Sequence, residues 1–383
     1  MTVLVPFDEL RERRSSVKWT RYERDILPLS VAEMDYEVAE PIAEAIIDRI
    51  RASDFGYIDA AGPLAPAFAR FAADRWGWHV DPGLVRVTTD VSVGLVETLR
   101  YGVPVGSQVV VTPPVYTPFY EVIEEARGEA VSVPLVPSGN GWAIDLEGVE
   151  RAFAEGAAAF LLCNPQNPTG TVHDRGTLHA LAELAARYGV LVISDEVHAP
   201  LTRPGVDFTP FAPLAASAGA RAVCLTSASK GWNLAGVKCA MLIAADEASL
   251  EILERFPDEV TCRTSILGLH ANIAAFECVD WLDDTISRIV ANDAHVAALI
   301  AENLPGVRYY SPQASYLGWI DFSALDLGDD PAVRLLDEAR VALNSGLQYG
   351  DSGRGFARIN LACDPEILTE AFRRIAAAVT PAR

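Results

Sequence analysis

Short apolar runs alternate with amphipathic stretches through the first two thirds of the chain. Helical periodicity marks Glu40 to Ser53 and Leu64 to Trp78, and a third helix is predicted from Val93 to Tyr101. Seven runs are predicted as strands: Val85–Thr88, Gln108–Val111, Ala130–Val133, Ala159–Cys163, Val190–Ser194, Ala222–Thr226 and Cys239–Ile243. Because these strands are almost continuously apolar, they predict an α/β fold with a mainly parallel sheet covered by helices on both faces.

The pattern changes after a long helical stretch around Leu267 to Asn303. Alternating residues then predict three further strands and a closing helix, at Val307–Tyr310, Tyr316–Ile320, Phe356–Leu361 and Pro365–Val379. These elements predict a smaller α+β unit. The N-terminal arm before Glu40 is predicted to be irregular.

Composition narrows the classes of partner. The chain of 383 residues has 52 acidic and 31 basic side chains and a net charge of -21, which argues against a nucleic acid or an anionic membrane as partner. Its six cysteines are scattered and include no CxxC pair, as expected of reduced core residues. Because the N-terminus has no basic head and no apolar run reaches about 18 residues, a cytoplasmic protein is expected.

The chain has only three lysines, and one of them stands in an unusual setting. Lys230 follows a strand-like run and is flanked by serines and glycines. The strand fixes the backbone, and the small neighbours leave room for a flat ring, which suits a lysine that forms an imine with an aldehyde cofactor. The alternative is an ordinary surface lysine in a loop.

Two further loops carry groups that suit the same cofactor. Asn167 lies in a loop fixed by two prolines and a glycine, and its amide can bond a ring hydroxyl and a substrate carboxylate. Asp195 ends a buried strand, where a protonated pyridine nitrogen is a suitable partner for its charge. A helix cap or a metal ligand is the alternative for Asp195. His198 either approaches the ring hydroxyl or packs.

A phosphate site is predicted where a helix follows the first strand of the sheet. Backbone N–H groups at Val91 and Ser92 can hold an anion, although small polar residues cap most helices. Ser227 and Ser229 can add hydroxyl groups, and Lys238 can add a charge.

Two more side chains complete the candidate site. Tyr116 follows another strand end and either stacks on a ring or packs. Arg358 alternates with apolar residues in the last strand, where a bidentate bond to a substrate carboxylate would satisfy its charge. The alternative for Arg358 is a structural salt bridge.

Together and in this order, these motifs resemble the fold-type I pyridoxal 5′-phosphate (PLP) enzymes of the class I/II aminotransferase superfamily. The resemblance covers nearly the whole chain and is most specific in Asn164–Gly170 and Ser227–Lys230. Within the superfamily the chain is most similar to the carbon–sulfur β-lyases of the PatB/MalY cystathionine β-lyase subgroup. The motifs that carry this similarity are Phe7–Glu9, Arg13–Arg14, Lys18–Trp19, Val31–Tyr36, Phe55–Tyr57, Ser227–Gly236, Tyr316–Phe322 and Val341–Gly346.

The resemblance implies an aspartate aminotransferase-like architecture. A large PLP-binding domain with a mainly parallel seven-stranded sheet would span residues 47–283, and residues 1–46 and 284–383 would form the smaller α+β domain. It also implies a homodimer with shared active sites, in which Tyr57 reaches the phosphate of the neighbouring subunit.

The resemblance also implies a role for each site residue. Lys230 would join the cofactor, Asp195 would pair with its pyridine nitrogen and Asn167 with its ring hydroxyl. Tyr116 would stack on the ring, and Arg358 would bind the substrate α-carboxylate. Asn167 and Tyr116 would contact the substrate as well, and no metal ion is expected.

Two departures from the usual pattern bear on the activity. Lys238 stands where many aminotransferases have an arginine for the phosphate, and His198 stands where a tyrosine often bonds the ring hydroxyl. These departures favour a β-elimination of L-cystathionine or a related cysteine S-conjugate. An aminotransferase of a small L-amino acid uses the same residues and is the alternative activity, and a PLP-binding regulatory or interaction protein is the alternative from another class.

Overall fold

A computed structural model describes residues 2–139 and 141–379. None of the helices in these two ranges is both long and apolar enough to cross a membrane. In chain order the helices are α1 Phe7–Arg13, α2 Val17–Thr20, α3 Glu40–Arg51, α4 Leu64–Trp76, α5 Val91–Gly102, α6 Pro118–Glu125, α7 Leu146–Ala154, α8 Arg175–Tyr188, α9 Phe211–Ala218, α10 Ala228–Gly231, α11 Glu247–Leu253, α12 Asp258–Cys262, α13 Ile266–Glu277, α14 Val279–Asn303, α15 Pro331–Ala339 and α16 Pro365–Val379.

The strands form one large sheet and several small ones. They are β1 Leu27–Pro28, β2 Val85–Thr88, β3 Gln108–Val111, β4 Glu129–Ser132, β5 Val136–Ser138, β6 Gly141–Ala143, β7 Ala159–Cys163, β8 Leu191–Asp195, β9 Ala222–Thr226, β10 Ala240–Ala244, β11 Arg308–Tyr310, β12 Leu317–Asp321, β13 Val341–Ala342, β14 Asn344–Ser345 and β15 Phe356–Asn360.

The large sheet has seven strands in the order β2-β10-β9-β8-β7-β3-β4. From β9 to β4 all neighbours are parallel, and β10 runs antiparallel to both β9 and β2. The predicted α/β class and the mainly parallel sheet are therefore confirmed.

Side chains of the large sheet alternate between two hydrophobic clusters. On β7, Phe160 and Leu162 belong to the cluster on one face, whereas Leu161 belongs to the cluster on the other. Both faces of the strand are buried, which is why its sequence is an unbroken apolar run rather than an alternating one. The core therefore encloses this strand as far as its carboxyl end at Cys163.

Most predicted elements coincide with those observed, but two predictions were wrong. The predicted helical stretch Leu267 to Asn303 is two helices, because the backbone leaves the helical region at Cys278 between α13 and α14. The N-terminal arm is not irregular throughout, since it contains α1 and α2. Helix α1 has acidic residues in its first turn, basic residues in its last and Leu10 buried on one side, an arrangement that stabilises a short helix.

The two ends of the chain meet in a second unit. Strands β11, β12, β15 and β14 form an antiparallel sheet, and β1 from the N-terminal arm pairs in parallel with β13. Helix α16 packs against α14 and α15. The predicted domain boundaries at 46/47 and 283/284 fall inside α3 and α14, and the division into two domains stays a prediction.

Candidate active site

A cavity of about 780 Å³ opens at the carboxyl ends of the parallel strands. Ten of the predicted site residues line it: Val91, Ser92, Tyr116, Asn167, Asp195, His198, Ser229, Lys230, Lys238 and Arg358. In an open α/β sheet this edge is where ligands bind. The fold thus brings together residues that are far apart in the sequence, since Val91 and Arg358 are separated by 267 positions.

The register of three strands explains why the central residues meet. Asp195 at the end of β8 is paired with Cys163 on β7 and with Leu225 on β9. The loop with Asn167 leaves β7, and the short helix with Lys230 follows β9, so both emerge beside Asp195 at the same edge.

Side-chain bonds hold the loop that carries Asn167. The Gln166 amide donates to the backbone carbonyls of Thr112 (3.0 Å) and Pro114 (2.8 Å), which ties this loop to the one that carries Tyr116. Gly170 has φ +67°, and a Cβ atom there would lie 2.1 Å from the Cβ of Pro312. Only glycine fits this position, because both the backbone conformation and the close neighbour exclude a side chain.

The carboxyl group of Asp195 is buried, and few protein groups offset the cost of burying its negative charge. One of its oxygens accepts a hydrogen bond from the backbone N–H of Val197 at 3.1 Å. Burial raises the pKa of Asp195 to about 6, against the opposing effects of that bond and of the charge of Lys230. A positively charged ligand group beside Asp195 would therefore be stabilised.

Lys230 lies on α10, whose N-terminus is capped by Ser227. Its amino group donates to the backbone carbonyl of Ala32 at 3.3 Å. Burial, followed by the positive charge of Arg358, lowers the pKa of Lys230 to about 8. An amine with such a pKa is partly neutral near neutral pH and can act as a nucleophile or a base.

Arg358 on β15 is buried and incompletely paired. Its guanidinium donates to Oδ1 of Asn167 at 3.2 Å and to the carbonyl of Ser30 at 2.7 Å, and it lies 5.5 Å from the centre of the Tyr349 ring. Its Nε has no hydrogen-bond partner among the residues that the structure describes. None of these contacts is with a carboxylate, so the alternative of a structural salt bridge does not explain the position of Arg358. An anionic ligand would fit beside its guanidinium.

His198 and Tyr116 occupy the walls of the cavity. The Nδ1 of His198 lies 2.9 Å from the hydroxyl of Ser315. Burial, and then the charges of Lys230 and Arg358, hold the pKa of His198 well below its ordinary value, so the ring is neutral. Burial, followed by the charge of Asp195, raises the pKa of Tyr116 to about 12.

The predicted phosphate position lies at the start of α5. Val91 and Ser92 line the cavity there, and the N-cap residue Asp90 accepts a hydrogen bond from the backbone N–H of Val93 at 3.0 Å. Lys238 has φ 59° and places its amino group 3.2 Å from the carboxylate of Asp90. Because the helix start and Lys238 both favour an anion, they form a suitable phosphate cradle.

Two predicted site residues do not line the cavity. The hydroxyl of Ser227 donates to the carbonyl of Cys239 at 2.7 Å and accepts from the N–H of Ser229 at 3.0 Å, so it is engaged in shaping α10. Tyr57 is 90% exposed on the surface. Its predicted role in a neighbouring subunit stays a prediction.

Three residues of the arm motifs, Trp19, Met34 and Asp35, do not line the cavity. Trp19 packs edge-on against Phe7, Met34 is fully buried, and Asp35 forms a buried ion pair with Lys18. All of them belong to the N-terminal arm, but the residues of the arm that line the cavity are Val17, Arg21 and Ser30–Ala32.

Sequence reasoning missed several lining residues. Asn344 and Tyr349 line the cavity, and the Asn344 amide donates to the Tyr349 hydroxyl at 2.7 Å. Asn344 was visible within the Val341–Gly346 motif, but nothing in the motif indicated where its side chain lies. Arg21 and Glu121, at the outer part of the cavity, have no motif that could have revealed them.

These features define a class of site. A lysine of lowered pKa, a buried carboxylate, an unsatisfied arginine and a helix start suit a flat ligand that carries an aldehyde, a basic ring nitrogen and a phosphate, together with an amino acid. PLP has these groups, and the donor set fits it.

Comparisons with known proteins agree with this class. Residues 24–375 match the model of the aminotransferase class I and II family, and the chain belongs to that family. It is 36% identical to a cystathionine β-lyase of Corynebacterium glutamicum, with 96% of this chain and 98% of that protein covered. It is 35% identical to the cystathionine β-lyase PatB of Bacillus subtilis, with 98% and 100% covered.

A solved structure shows the same architecture. The PLP-bound C-S lyase from Staphylococcus hominis superposes with a TM-score of 0.90 and 25% identity, covering 99% of both chains. The aspartate aminotransferase of Thermus thermophilus, at a TM-score of 0.82 and 22% identity, shares the fold. The predicted family and the aspartate aminotransferase-like fold are confirmed.

Proposed function

We propose that this protein is a PLP-dependent carbon–sulfur β-lyase. Its substrate would be L-cystathionine or a related cysteine S-conjugate, which is cleaved with water to homocysteine or another thiol, pyruvate and ammonia. The observation that carries the proposal is that Lys230, Asp195 and Arg358 line one cavity. The lyase names of relatives at 35–36% identity over nearly the whole chain favour this reaction over amino transfer.

Bound PLP would supply an electron-withdrawing ring that stabilises negative charge at the substrate α-carbon. Asp195 would pair with the ring nitrogen, and with its pKa at about 6 it is mostly ionised at pH 7 before any ligand arrives. Val91, Ser92, Ser229 and Lys238 would hold the phosphate. The Ser227 hydroxyl, which is engaged with Cys239 and Ser229, would act through the shape of α10.

Lys230 would move the proton that starts the reaction. With its pKa at about 8, about half of the free Lys230 amines are neutral at pH 8 and able to take the α-proton of the substrate. A positioned base of this kind typically contributes about 10²- to 10⁴-fold to the rate. The carbonyl of Ala32, 3.3 Å from Nζ, gives the free amine a fixed place beside the substrate.

Arg358 and Asn167 would orient the substrate. The guanidinium of Arg358 would bind the α-carboxylate. The Asn167 amide would bond the ring hydroxyl of the cofactor, the Tyr116 ring would stack on the cofactor ring, and both would contact the substrate. After the α-proton has left, the bond between the β-carbon and sulfur breaks with its electron pair going to sulfur. A thiol of ordinary pKa about 8.5 is a good leaving group for this step.

The outer part of the cavity fits a substrate with charges at its far end. Arg21 and Glu121 both line the cavity, and neither forms an ion pair within the described part of the chain. L-cystathionine carries a carboxylate and an ammonium group beyond its sulfur. One oppositely charged side chain is thus available for each, which supports a zwitterionic leaving group over a small apolar one.

The proposal includes a homodimer with shared sites. Tyr57 and Phe55 are 90% and 62% exposed, which is unusual for neighbouring aromatic side chains and suits an interface. Mixing Tyr57→Ala and Lys230→Ala dimers tests it. If Tyr57 serves the neighbouring site, mixed dimers regain one intact site and activity returns; if Tyr57 serves its own site or none, mixing restores nothing.

The proposal further includes two domains, residues 47–283 and residues 1–46 with 284–383, and a cytoplasmic location. Paired small strands β1 and β13 support a unit built from both chain ends. Six free cysteines support a reducing compartment. Limited proteolysis that yields a stable fragment near 47–283 would support the division, whereas cleavage within that range first would oppose it.

One assay separates the lyase from an aminotransferase. Purified protein is given L-cystathionine without a 2-oxo acid while pyruvate and free thiol are followed. Sustained release of both in equal amounts establishes the lyase, and Lys230→Ala abolishes it. A single half-turnover that resumes only when a 2-oxo acid is added means an aminotransferase.

A further inference from the structure

A serine with an unusual backbone lies against His198. Ser315 has φ 74°, in the left-handed region that serine rarely adopts, and lies two residues before β12 begins at Leu317. Its backbone N–H donates to the carbonyl of Leu201 at 3.2 Å, and the N–H of Ala314 donates to the carbonyl of Gly170 at 3.2 Å. Two backbone hydrogen bonds therefore hold the chain at this strained residue, and strain of this kind clusters at functional sites.

The hydroxyl of Ser315 has one partner available. It lies 2.9 Å from Nδ1 of His198, both residues are buried, and no other hydrogen bond of this hydroxyl occurs among the described residues. A buried hydroxyl proton needs an acceptor, and the carbonyls and carboxylates near Ser315 do not supply one through any observed bond. The Ser315 hydroxyl therefore donates, and Nδ1 of His198 accepts.

This direction fixes the other side of the imidazole. In a neutral ring whose Nδ1 accepts, the proton resides on Nε2. The ring is neutral because burial and two cations, Lys230 and Arg358, oppose its protonation, and Tyr316 lies beside it with a ring separation of 6.3 Å. Nε2 has no partner within residues 2–139 and 141–379, and His198 lines the cavity.

We propose that Ser315 is a positioning residue that holds His198 in the Nε2–H form, so that His198 is a hydrogen-bond donor to the ring oxygen of the cofactor. The inference rests on the proposed PLP function for the identity of the acceptor. In the opposite form the lone pair of Nε2 would face an electron-rich oxygen, which is repulsive. The serine thus makes the histidine a donor, as a tyrosine hydroxyl would be.

The first test needs no cofactor. Protein labelled with ¹⁵N-histidine is studied by NMR after PLP is removed, and the His198 signals are assigned with a His198→Gln variant. The wild type is expected to show the Nε2–H form, and Ser315→Gly is expected to shift His198 toward the other form. A wild-type Nδ1–H form, or no change in Ser315→Gly, overturns the proposal.

The second test uses the holoenzyme. The visible absorbance of bound PLP is titrated with pH, and Ser315→Gly is expected to raise the apparent pKa of this titration by about 0.5–1 unit, the effect of weakening one hydrogen bond to a charged oxygen. In a protein that also carries His198→Gln, Ser315→Gly is expected to leave this apparent pKa unchanged. An equal shift in both backgrounds overturns the proposal.

The choice of variants separates the loss of the Ser315 hydroxyl from effects on the backbone. Glycine suits φ 74°, so Ser315→Gly removes the hydroxyl while relieving the backbone. Ser53, with φ 56° on the exposed surface, provides the matched change Ser53→Gly, which is expected to leave both readouts unchanged. If the purified protein binds no PLP, the proposed function fails, whereas the NMR result still decides the role of Ser315.

Discussion

The guanidinium of Arg358 donates a hydrogen bond to Oδ1 of Asn167 across 3.2 Å. Arg358 lies on β15 of the four-stranded sheet, and Asn167 lies in the loop after β7 of the seven-stranded sheet. The bond therefore joins the two sheets at the cavity. It sets the position of the predicted carboxylate-binding group relative to the predicted ring-binding group.

Arg358→Lys is expected to lower kcat/KM for L-cystathionine by about 10- to 100-fold, as for loss of a hydrogen bond between charged groups. Lysine keeps the charge but lacks the planar fork that bonds Asn167, the Ser30 carbonyl and a carboxylate together. Steady-state kinetics would show the loss. The exposed Arg354 offers the control Arg354→Lys, and equal losses in both variants would contradict the assignment.

Lys238 and Asp90 are expected to affect cofactor affinity in opposite directions. Lys238→Ala removes a positive charge beside the predicted phosphate and is expected to raise the Kd for PLP by about 10-fold at low salt. Asp90→Asn keeps an N-cap acceptor for α5 and removes a negative charge, so it is expected to lower the Kd by about threefold. Equilibrium dialysis of apoprotein with PLP measures both.

High salt provides the control for this pair. Because both groups are partly exposed, screening should bring the three Kd values closer together. An Asp90→Asn variant that binds PLP more weakly would mean that the main role of Asp90 is to hold Lys238 in place. The prediction that the two variants change the Kd in opposite directions would then be wrong.

Arg21→Ala is expected to raise KM for L-cystathionine by about three- to tenfold and to leave KM for S-methyl-L-cysteine unchanged. The reason is that only L-cystathionine has a charged far end for Arg21 to bind. Arg24, in the same arm but outside the cavity lining, provides the matched variant Arg24→Ala. If Arg21→Ala affects both substrates equally, Arg21 acts on the fold of the arm rather than on the leaving group.

The sequence predicted the large sheet well because most of its strands are buried on both faces. Val85–Thr88, Gln108–Val111, Ala159–Cys163 and Ala222–Thr226 are apolar runs with definite ends, and the structure has the same bounds. The break at Cys278 could not be predicted, because the residues on both sides continue a helical pattern and only tertiary packing redirects the chain.

The site was predictable only where a residue stands in a rigid motif. Asn167 and Asp195 follow strands, so their place at the sheet edge follows from the strand order. Ser315 gave no such signal, because its link to His198 spans 117 positions and depends on a backbone conformation that the sequence does not encode locally. Arg21 depends likewise on how the N-terminal arm folds over the cavity.

A buried carboxyl group on the far side of β8 makes stability depend on pH. Glu196 accepts hydrogen bonds from the Ser194 hydroxyl at 3.0 Å and the Phe211 N–H at 2.9 Å, and burial raises its pKa from 4.5 to about 7. Below pH 4.5 it is protonated in both the folded and unfolded states. As the pH rises from 4.5 to 7, the unfolded state loses the proton first, so the folded state loses stability.

Glu196→Gln removes this dependence while keeping an acceptor for both bonds. Its new amide can donate to Oδ1 of Asn164, which has no partner in the described ranges. The free energy of unfolding of the variant, relative to wild type, is therefore expected to rise between pH 4.5 and 7 by on the order of 3 kcal/mol and then stay level. Urea unfolding of both holoenzymes across this range measures it. Glu251→Gln on the exposed surface is expected to show no such rise, and a flat difference for Glu196→Gln would mean that Glu196 ionises as readily in the folded protein as in the unfolded chain.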